Sequence, residues 1–97
     1  MKIDARGRNE YLLTGELTFN TVGEIWNRSR ELFAGGGSLT VDFSGITHTD
    51  SSALALLLEW KRLAHQQRRK VNYRHIPASL IAVAAVSNAA DFLTKSD

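Results

Sequence analysis

The 97-residue chain contains no cysteine. This absence excludes disulfide bonds, thiol catalysis and thiolate metal ligands, and it suits a reducing compartment, so we expect a cytoplasmic protein. The histidines offer no replacement site, because His48, His65 and His75 lack the paired spacing that places two metal ligands on one face of a helix. We therefore expect neither a metal nor a cofactor.

Long hydrophobic runs are also missing. The longest nearly apolar run, Ala78 to Val86, is far shorter than the roughly 20 residues that span a bilayer. The first residues, MKIDARGRNE, have no apolar stretch after their charges and do not resemble a secretory signal. We expect no direct membrane insertion, so that any membrane association would come through a partner.

The motifs of common enzymes are absent as well. His48 lies near Ser51 and Ser52 in sequence, but the strained G-x-S-x-G turn that exposes a nucleophilic serine is missing. The glycines at 35–37 follow a predicted helix instead of a strand and lack a Gly-Lys-Ser/Thr continuation, so they indicate a helix stop and not a phosphate loop. We predict a protein that is not an enzyme and does not bind ATP by itself, with His48 in a turn.

Positive charge is concentrated in one segment, although the formal net charge is only +2. Between Glu59 and Lys70 a single acid accompanies five basic residues, Lys61, Arg62, Arg68, Arg69 and Lys70. Cations at the end of a helix interact favourably with its negative pole, which is our interpretation of this cluster. A nucleic-acid interface would combine a broad basic face with stacking aromatic side chains, and this pattern is not visible, so we expect no nucleic-acid partner.

The order of predicted elements indicates an α/β fold. Short strands at 10–14 and 16–18 flank a turn at Thr14-Gly15, and a helix capped by Asn20 or Thr21 follows. A strand at 38–43, a turn at 44–50, a helix from Ser51 to about Gln67, a strand at 70–75 and a helix opened by Pro77 complete the pattern. This alternation predicts parallel neighbours in one sheet and one domain spanning residues 1–97.

The junction between the strand at 38–43 and the helix from Ser51 is the best candidate for function. A helix start leaves backbone N–H groups without partners and carries partial positive charge, so the hydroxyls of Ser51 and Ser52 could cap the helix or carry a phosphate. The first half of this helix, 53–58, is apolar on all sides. Either a neighbouring helix covers the extra face, or the leucines form a patch for a partner.

The residues of this junction resemble the STAS domain family. Val41-Asp42-Phe43-Ser44 matches a strand ending in V-D-F/L-S, and Asp50-Ser51-Ser52-Ala53-Leu54 matches a D-S-S/T-G-L helix start, with Ala53 in place of glycine. The segment N-A-A-D-F-L, Asn88 to Leu93, resembles the closing segment of the family. The resemblance implies a small mixed sheet of about four strands with helices packed mainly on one face.

Two branches of the family are possible. In anti-sigma factor antagonists, a partner kinase phosphorylates a serine at the helix start, which would correspond to Ser52, with Ser51 as the neighbouring candidate. The STAS subunit of the Mla phospholipid transporter of Gram-negative bacteria binds an ABC ATPase and supports its assembly and activity, and its motif D-T-G-G-L-A-L-L-L places threonine where Ser51 stands. The run Leu54 to Leu58 and the short chain are closer to the transporter branch, which we favour.

Both branches imply a regulator that acts through one surface at the start of the Ser51 helix. On the transporter interpretation, the protein would be cytoplasmic and peripheral to the inner membrane through its ATPase partner. The expected partner interface comprises Thr49, Asp50, Ser51, Ser52, Ala55, Glu59 and Arg62. The alternative is wholly structural, with the serines acting only as helix caps and the partner contacts lying elsewhere.

Overall fold

The computed structural model describes residues 2–7, 9–32 and 37–86. The elements in chain order are β1 (Lys2–Gly7), β2 (Glu10–Leu17), α1 (Val22–Leu32), β3 (Ser38–Thr49), α2 (Ser51–Gln66), β4 (Lys70–Arg74) and α3 (Ala78–Val86). The resemblance noted for Asn88 to Leu93 lies outside the described residues.

The four strands form one mixed sheet in the order β1-β2-β3-β4. β1 pairs antiparallel with β2, whereas β2 and β3, and β3 and β4, are parallel neighbours. Each parallel pair is joined through a helix, and α1 and α2 contact each other and share one core on the same face of the sheet, as expected for two crossovers of the same hand. α3 contributes Leu80 and Ala84 to the same core. The predicted α/β fold, with a mixed sheet of four strands and helices on one face, is therefore confirmed.

The strands differ from the sequence-based prediction in three places. β1 was not predicted, because four of its six residues are charged or glycine and only Ile3 and Ala5 are apolar. β2 is one strand that passes through Gly15 at φ 101°, so Thr14-Gly15 is an irregularity in the strand and not a turn. β3 continues to Thr49, because its second half pairs with the end of β2.

The extension of β3 changes the position of two residues. Asp42 lies in the middle of β3 and not at its carboxyl end, and His48 is an exposed strand residue opposite Glu16 and not a turn residue. The parallel pairing brings β3 against β2 most closely at Gly45, where a Cβ would lie 2.5 Å from Thr14 Cγ2 and 2.8 Å from the Leu13 carbonyl oxygen. The prolonged strand carries the chain to the start of α2 at Asp50.

The core lies between the sheet and the helices. The apolar first half of α2 is covered, since α2 contacts both α1 and α3 and Leu54, Leu56 and Leu57 are buried. This confirms the alternative in which neighbouring helices cover the extra face. Trp60 donates its indole N–H to Ser29 Oγ of α1 at 2.8 Å, and the Ser29 hydroxyl donates in turn to the Trp26 carbonyl at 2.8 Å.

Candidate partner-binding site

The start of α2 is capped by Asp50. This residue has extended backbone angles, φ −136° and ψ −171°, and its Oδ1 accepts a hydrogen bond from the Ser52 N–H at 2.9 Å. Its backbone carbonyl accepts from the Ala53 N–H at 3.0 Å. The carboxylate therefore satisfies one of the N–H groups that a helix start leaves without partners, as Asp commonly does at this position.

The same carboxylate connects two loops. Asp50 Oδ2 accepts a hydrogen bond from the backbone N–H of Phe19 at 3.0 Å, and Phe19 lies in the turn between β2 and α1. The Phe19 N–H lowers the pKa of Asp50, and the N–H and hydroxyl of Ser52 lower it further, against a smaller opposing effect of partial desolvation. Asp50 is therefore ionised at neutral pH and holds the β2–α1 turn against the start of α2.

Ser51 and Ser52 do not cap the helix, so the sequence-based possibility that they act only as caps is wrong. Both lie inside α2, after the capping residue. Ser51 is exposed, and in the described part of the chain its hydroxyl forms no hydrogen bond, whereas the half-buried Ser52 lies against the Asp50 carboxylate. Aspartate and serine side chains can both cap a helix start. Residue 50 has the extended backbone angles of a capping residue, so Asp50 and not a serine caps α2.

Thr49 is the last residue of β3 and connects the site to α3. Its Oγ1 lies 3.3 Å from the Ser79 hydroxyl, in the first turn of α3. A cavity of about 200 Å³ adjoins this contact and is lined by Ile46, Thr47, His48, Thr49, Pro77 and Ser79. The amino-terminal end of α3 therefore borders the junction.

The remaining predicted site residues lie along α2. Ala55 and Arg62 are exposed and Glu59 is half-exposed, in a row that continues from Ser51 at helical spacing. Arg62 donates to Glu59 Oε2 at 2.7 Å, and this ion pair lowers the pKa of Glu59 and raises that of Arg62. We call Ser51, Ala55, Glu59 and Arg62 the α2 stripe.

Phe19 was missed by the sequence analysis, which ended a short strand at Thr18, named Asn20 or Thr21 as the cap of the next helix and gave Phe19 no role. Its side chain is 78 % exposed and belongs to the same surface as Asp50. The sequence did contain one signal for an exposed aromatic residue, since Phe19 stands between the polar residues Thr18 and Asn20. No short-range sequence pattern shows that this turn contacts the start of α2.

Among the described residues, His48 forms no hydrogen bond with Ser51 or Ser52, the residues near it in sequence that were considered for catalysis, and the nearby carboxylate of Asp42 is bonded elsewhere. Asp42 Oδ1 accepts from the Ser44 N–H at 2.8 Å and lies 3.1 Å from His75 Nδ1. Partial burial raises the pKa of Asp42, but the bonds from Ser44 and His75 outweigh this effect and lower it. Asp42 therefore serves a second cluster, while His48 Nδ1 lies 3.4 Å from Thr47 Oγ1. Within residues 2–7, 9–32 and 37–86, no cluster of three His, Cys, Asp or Glu side chains is arranged to hold a metal ion.

The basic segment is not a continuous cationic face. Lys61 is buried and donates to the Val71 carbonyl at 2.8 Å, with its ammonium 5.1 Å from the centre of the Tyr73 ring. Arg69 is also buried and donates to the Gly37 carbonyl at 3.0 Å. The expectation that these cations serve the negative pole of α2 is therefore wrong for Lys61 and Arg69, because both stabilise loop and strand carbonyls instead.

The comparisons with known proteins agree with this architecture. The family described as "Mlab, STAS domain" matches residues 10–95. A solved structure of the anti-sigma factor antagonist SpoIIAA in its unphosphorylated form superposes with a TM-score of 0.66 at 18% identity, covering 84% of this chain and 78% of that one. No curated protein matches the sequence.

The mixed four-stranded sheet, with its helices on one face and an exposed helix start at Asp50, defines a small α/β domain with the SpoIIAA fold. The chain belongs to the STAS domain family. It is thus a regulatory STAS protein, as the resemblance of the Asp50 junction implied. Among the described helices, none is long and apolar enough to cross a bilayer.

Proposed function

We propose that this chain is a non-catalytic regulatory subunit that binds the cytoplasmic ATPase of an ABC phospholipid transporter, with the α2 stripe and its capped start as the contact surface. The observation that carries the proposal is the position of the cap. Because Asp50 caps α2, the exposed Ser51 hydroxyl is not needed to cap the helix and can contact a partner. Such a subunit would support ATPase assembly and act in maintaining outer-membrane lipid asymmetry.

The family description supports this choice of partner. The matching family is described as "Mlab, STAS domain", a description that supports the transporter alternative, and the match covers residues 10–95. A cytoplasmic location, peripheral to the inner membrane through the ATPase, follows from the same proposal. The proposed interface comprises Thr49, Asp50, Ser51, Ser52, Ala55, Glu59 and Arg62.

A second candidate function is that of an anti-sigma factor antagonist, which the likeness to SpoIIAA favours. In that role a kinase partner would phosphorylate Ser52 or Ser51. A phosphate adds about −1.5 to −2 charges at neutral pH. On Ser52 it would stand beside the Asp50 carboxylate and repel it, whereas on the exposed Ser51 it would project from the positive end of α2.

The first experiment distinguishes the two functions. The tagged protein is purified from its native host, and mass spectrometry identifies the associated proteins and the modification of the peptide that contains Ser51 and Ser52. Recovery of an ABC ATPase and its permease with unmodified serines is expected. Recovery of a kinase-like anti-sigma factor with phosphate on Ser52 would establish the alternative instead.

Glutamate substitutions test the contact surface with the purified ATPase. We expect Ser51→Glu to weaken binding by roughly tenfold or more, through added charge and bulk at the interface. An acid in the first turn suits the helix dipole, so the variant should remain folded. Calorimetric titration gives the affinity, and circular dichroism reports the fold.

A control variant, Ser51→Ala, and a second glutamate variant, Ser52→Glu, complete this measurement. Ser51→Ala should bind nearly as the wild type does, because the serine hydroxyl forms no bond within the described residues. Ser52→Glu should weaken binding and also destabilise the helix start, since its carboxylate would face Asp50. Unchanged affinity for both glutamate variants would contradict the proposed surface.

A further inference from the structure

Phe19 is the most exposed aromatic side chain among the described residues. It is 78 % exposed, whereas Phe43 and Trp60 are nearly or completely buried. Single exposed apolar residues are common and need no function. The surroundings of Phe19 distinguish it, because its turn is held rigidly at the site already described.

Hydrogen bonds fix the turn on both sides of Phe19. The Thr21 and Val22 N–H groups both donate to the Thr18 carbonyl at 2.9 Å, and the Thr18 N–H donates to Thr21 Oγ1 at 3.0 Å. The Thr21 hydroxyl donates to the Glu16 carbonyl at 3.0 Å. The backbone of the turn is thus ordered before any partner arrives, so binding through it costs little additional conformational entropy.

Asp50 makes Phe19 part of the α2 surface. Its two carboxylate oxygens accept from the Phe19 N–H at 3.0 Å and from the Ser52 N–H at 2.9 Å. One side chain therefore fixes the position of the exposed ring relative to Ser51. Rigid aromatic residues in such positions are typical anchors of protein interfaces.

The turn that carries Phe19 is flanked by acids, although the chain as a whole carries a formal charge of +2. Glu16 precedes the turn, Glu24 lies in the first turn of α1 and Asp50 is bonded to Phe19, and none of the three forms a salt bridge among the described residues. Segments 10–27 and 44–55, which meet at the bond between Phe19 and Asp50, hold none of the twelve Lys and Arg residues of the chain. Charge complementarity therefore favours a partner surface that carries Lys and Arg.

We infer that Phe19 is the apolar anchor of the partner interface and that it inserts into an apolar pocket bordered by basic side chains on the ATPase. This inference rests on the proposed function for the identity of the partner. Phe19 supplies buried apolar area, while Glu16, Glu24 and Asp50 orient the approach of the basic side chains. The α2 stripe then contacts the partner beside the anchored ring.

Photo-crosslinking in the native host tests the inference directly. A photoreactive phenylalanine analogue, p-benzoylphenylalanine, replaces Phe19 in the full chain, and the same analogue is placed at Ala55 and at the exposed Val86 of α3 as comparison positions. Position 19 should crosslink to the ATPase, at a peptide that contains apolar and basic residues. Position 86 should give no crosslink to the ATPase.

The crosslinks separate failure of the anchor from failure of the proposed function. A crosslink from position 55 to the ATPase without one from position 19 would overturn the anchor and leave the ATPase as partner. A crosslink from position 19 to an anti-sigma kinase would support the anchor's role and overturn the ATPase as its partner. Absence of crosslinks at both positions would overturn both.

Affinity measurements with the purified ATPase provide an independent readout. Phe19→Ala should weaken binding at least about tenfold without changing the thermal unfolding of the free protein, because the ring is largely exposed. Val86→Ala, which also shortens an exposed apolar side chain, should leave the affinity unchanged. Wild-type affinity should fall as salt concentration rises, and affinity independent of salt would contradict the basic border of the pocket.

Discussion

At the scale of single residues, the site depends on Asp50. Its carboxylate accepts hydrogen bonds from two backbone N–H groups, that of Phe19, 31 residues away in sequence, and that of Ser52 at the start of α2. The neighbouring Ser51 and Ser52 therefore do not cap the helix. One short polar side chain thus sets both the helix start and the position of the exposed aromatic ring.

The pH dependence of stability tests this role of Asp50. Its pKa is lowered in the fold, so ionised Asp50 stabilises the protein above the unfolded-state pKa of about 3.9. That contribution is lost as the pH falls through the lower folded-state value. We expect Asp50→Asn to flatten the acid side of the stability profile, measured by urea unfolding at a series of pH values.

Some acid sensitivity should survive in Asp50→Asn. The pKa of Asp42 is also lowered, because the bonds from Ser44 and His75 outweigh its partial burial. Asp42→Asn should therefore remove a separate part of the slope, and the double variant should be flatter than either single one. An acid profile of Asp50→Asn identical to that of the wild type would contradict the assigned bonds.

At the scale of elements, the pairing of β2 with β3 determines where the site lies. The register is irregular between Leu12 and Thr14 and again between Gly15 and Glu16, and Gly15 adopts a positive φ of 101°. These irregularities let β2 follow β3 to its end. The turn that carries Phe19 therefore lies next to Asp50.

Gly45 should be intolerant of a side chain. A Cβ there would lie 2.5 Å from Thr14 Cγ2 and 2.8 Å from the Leu13 carbonyl oxygen, and the backbone oxygen cannot move without disturbing the pairing. We expect Gly45→Ala to lower the free energy of unfolding by about 1–3 kcal/mol, as overpacking does. Chemical denaturation followed by circular dichroism measures the change.

Gly23 provides the matched control in α1. A Cβ at this position meets nothing within 4 Å, and alanine favours the helix over glycine. Gly23→Ala should therefore raise stability by about 0.5–1 kcal/mol. If both alanine variants were equally stable, close approach at Gly45 would not be the constraint described.

At the scale of the whole molecule, the two faces of the sheet differ. One face packs against the helices, and the other is polar and carries the Asp42–His75 pair and a 3.7 Å ion pair between Glu10 and Arg74. A single core therefore lies on one side of the sheet and holds all three helices. This arrangement supports the proposal that residues 1–97 form one domain.

A single core predicts cooperative unfolding. Trp60 of α2 is completely buried and bonded to Ser29 of α1, and the second tryptophan, Trp26, lies in α1 and packs against the same core. Tryptophan fluorescence therefore follows the packing of α1 and α2. We expect its denaturation curve to coincide with the far-ultraviolet circular dichroism curve, which follows all elements. Separate midpoints would show that the helices and the sheet unfold as independent units and would contradict the single domain.

Much of the fold was predictable from local patterns. α1, α2, β4 and α3 follow from apolar spacing and from Pro77 before the last helix, since these signals act within a few residues. β1 was missed because its charged residues give it a weak strand pattern, although its partner β2 follows directly in sequence. The second half of β3 was missed because it is held extended by pairing with residues about 30 positions away in β2. The same limit produced the false turn at Thr14-Gly15.

The sequence by itself determined the α/β class, the family resemblance and the importance of the junction at Asp50 to Leu54, because each depends on neighbouring residue types. Only the tertiary structure decided that Asp50 caps α2, that Lys61 is buried, and that Phe19 lies at the site. The cap itself is a local bond to the Ser52 N–H, but Asp50, Ser51 and Ser52 are all able to cap by residue type, and the bond from Phe19 holds the Asp50 carboxylate in place. The positions of Lys61 and Phe19 depend on contacts between residues 10 and 31 positions apart, and such contacts exist only once the sheet and helices have packed.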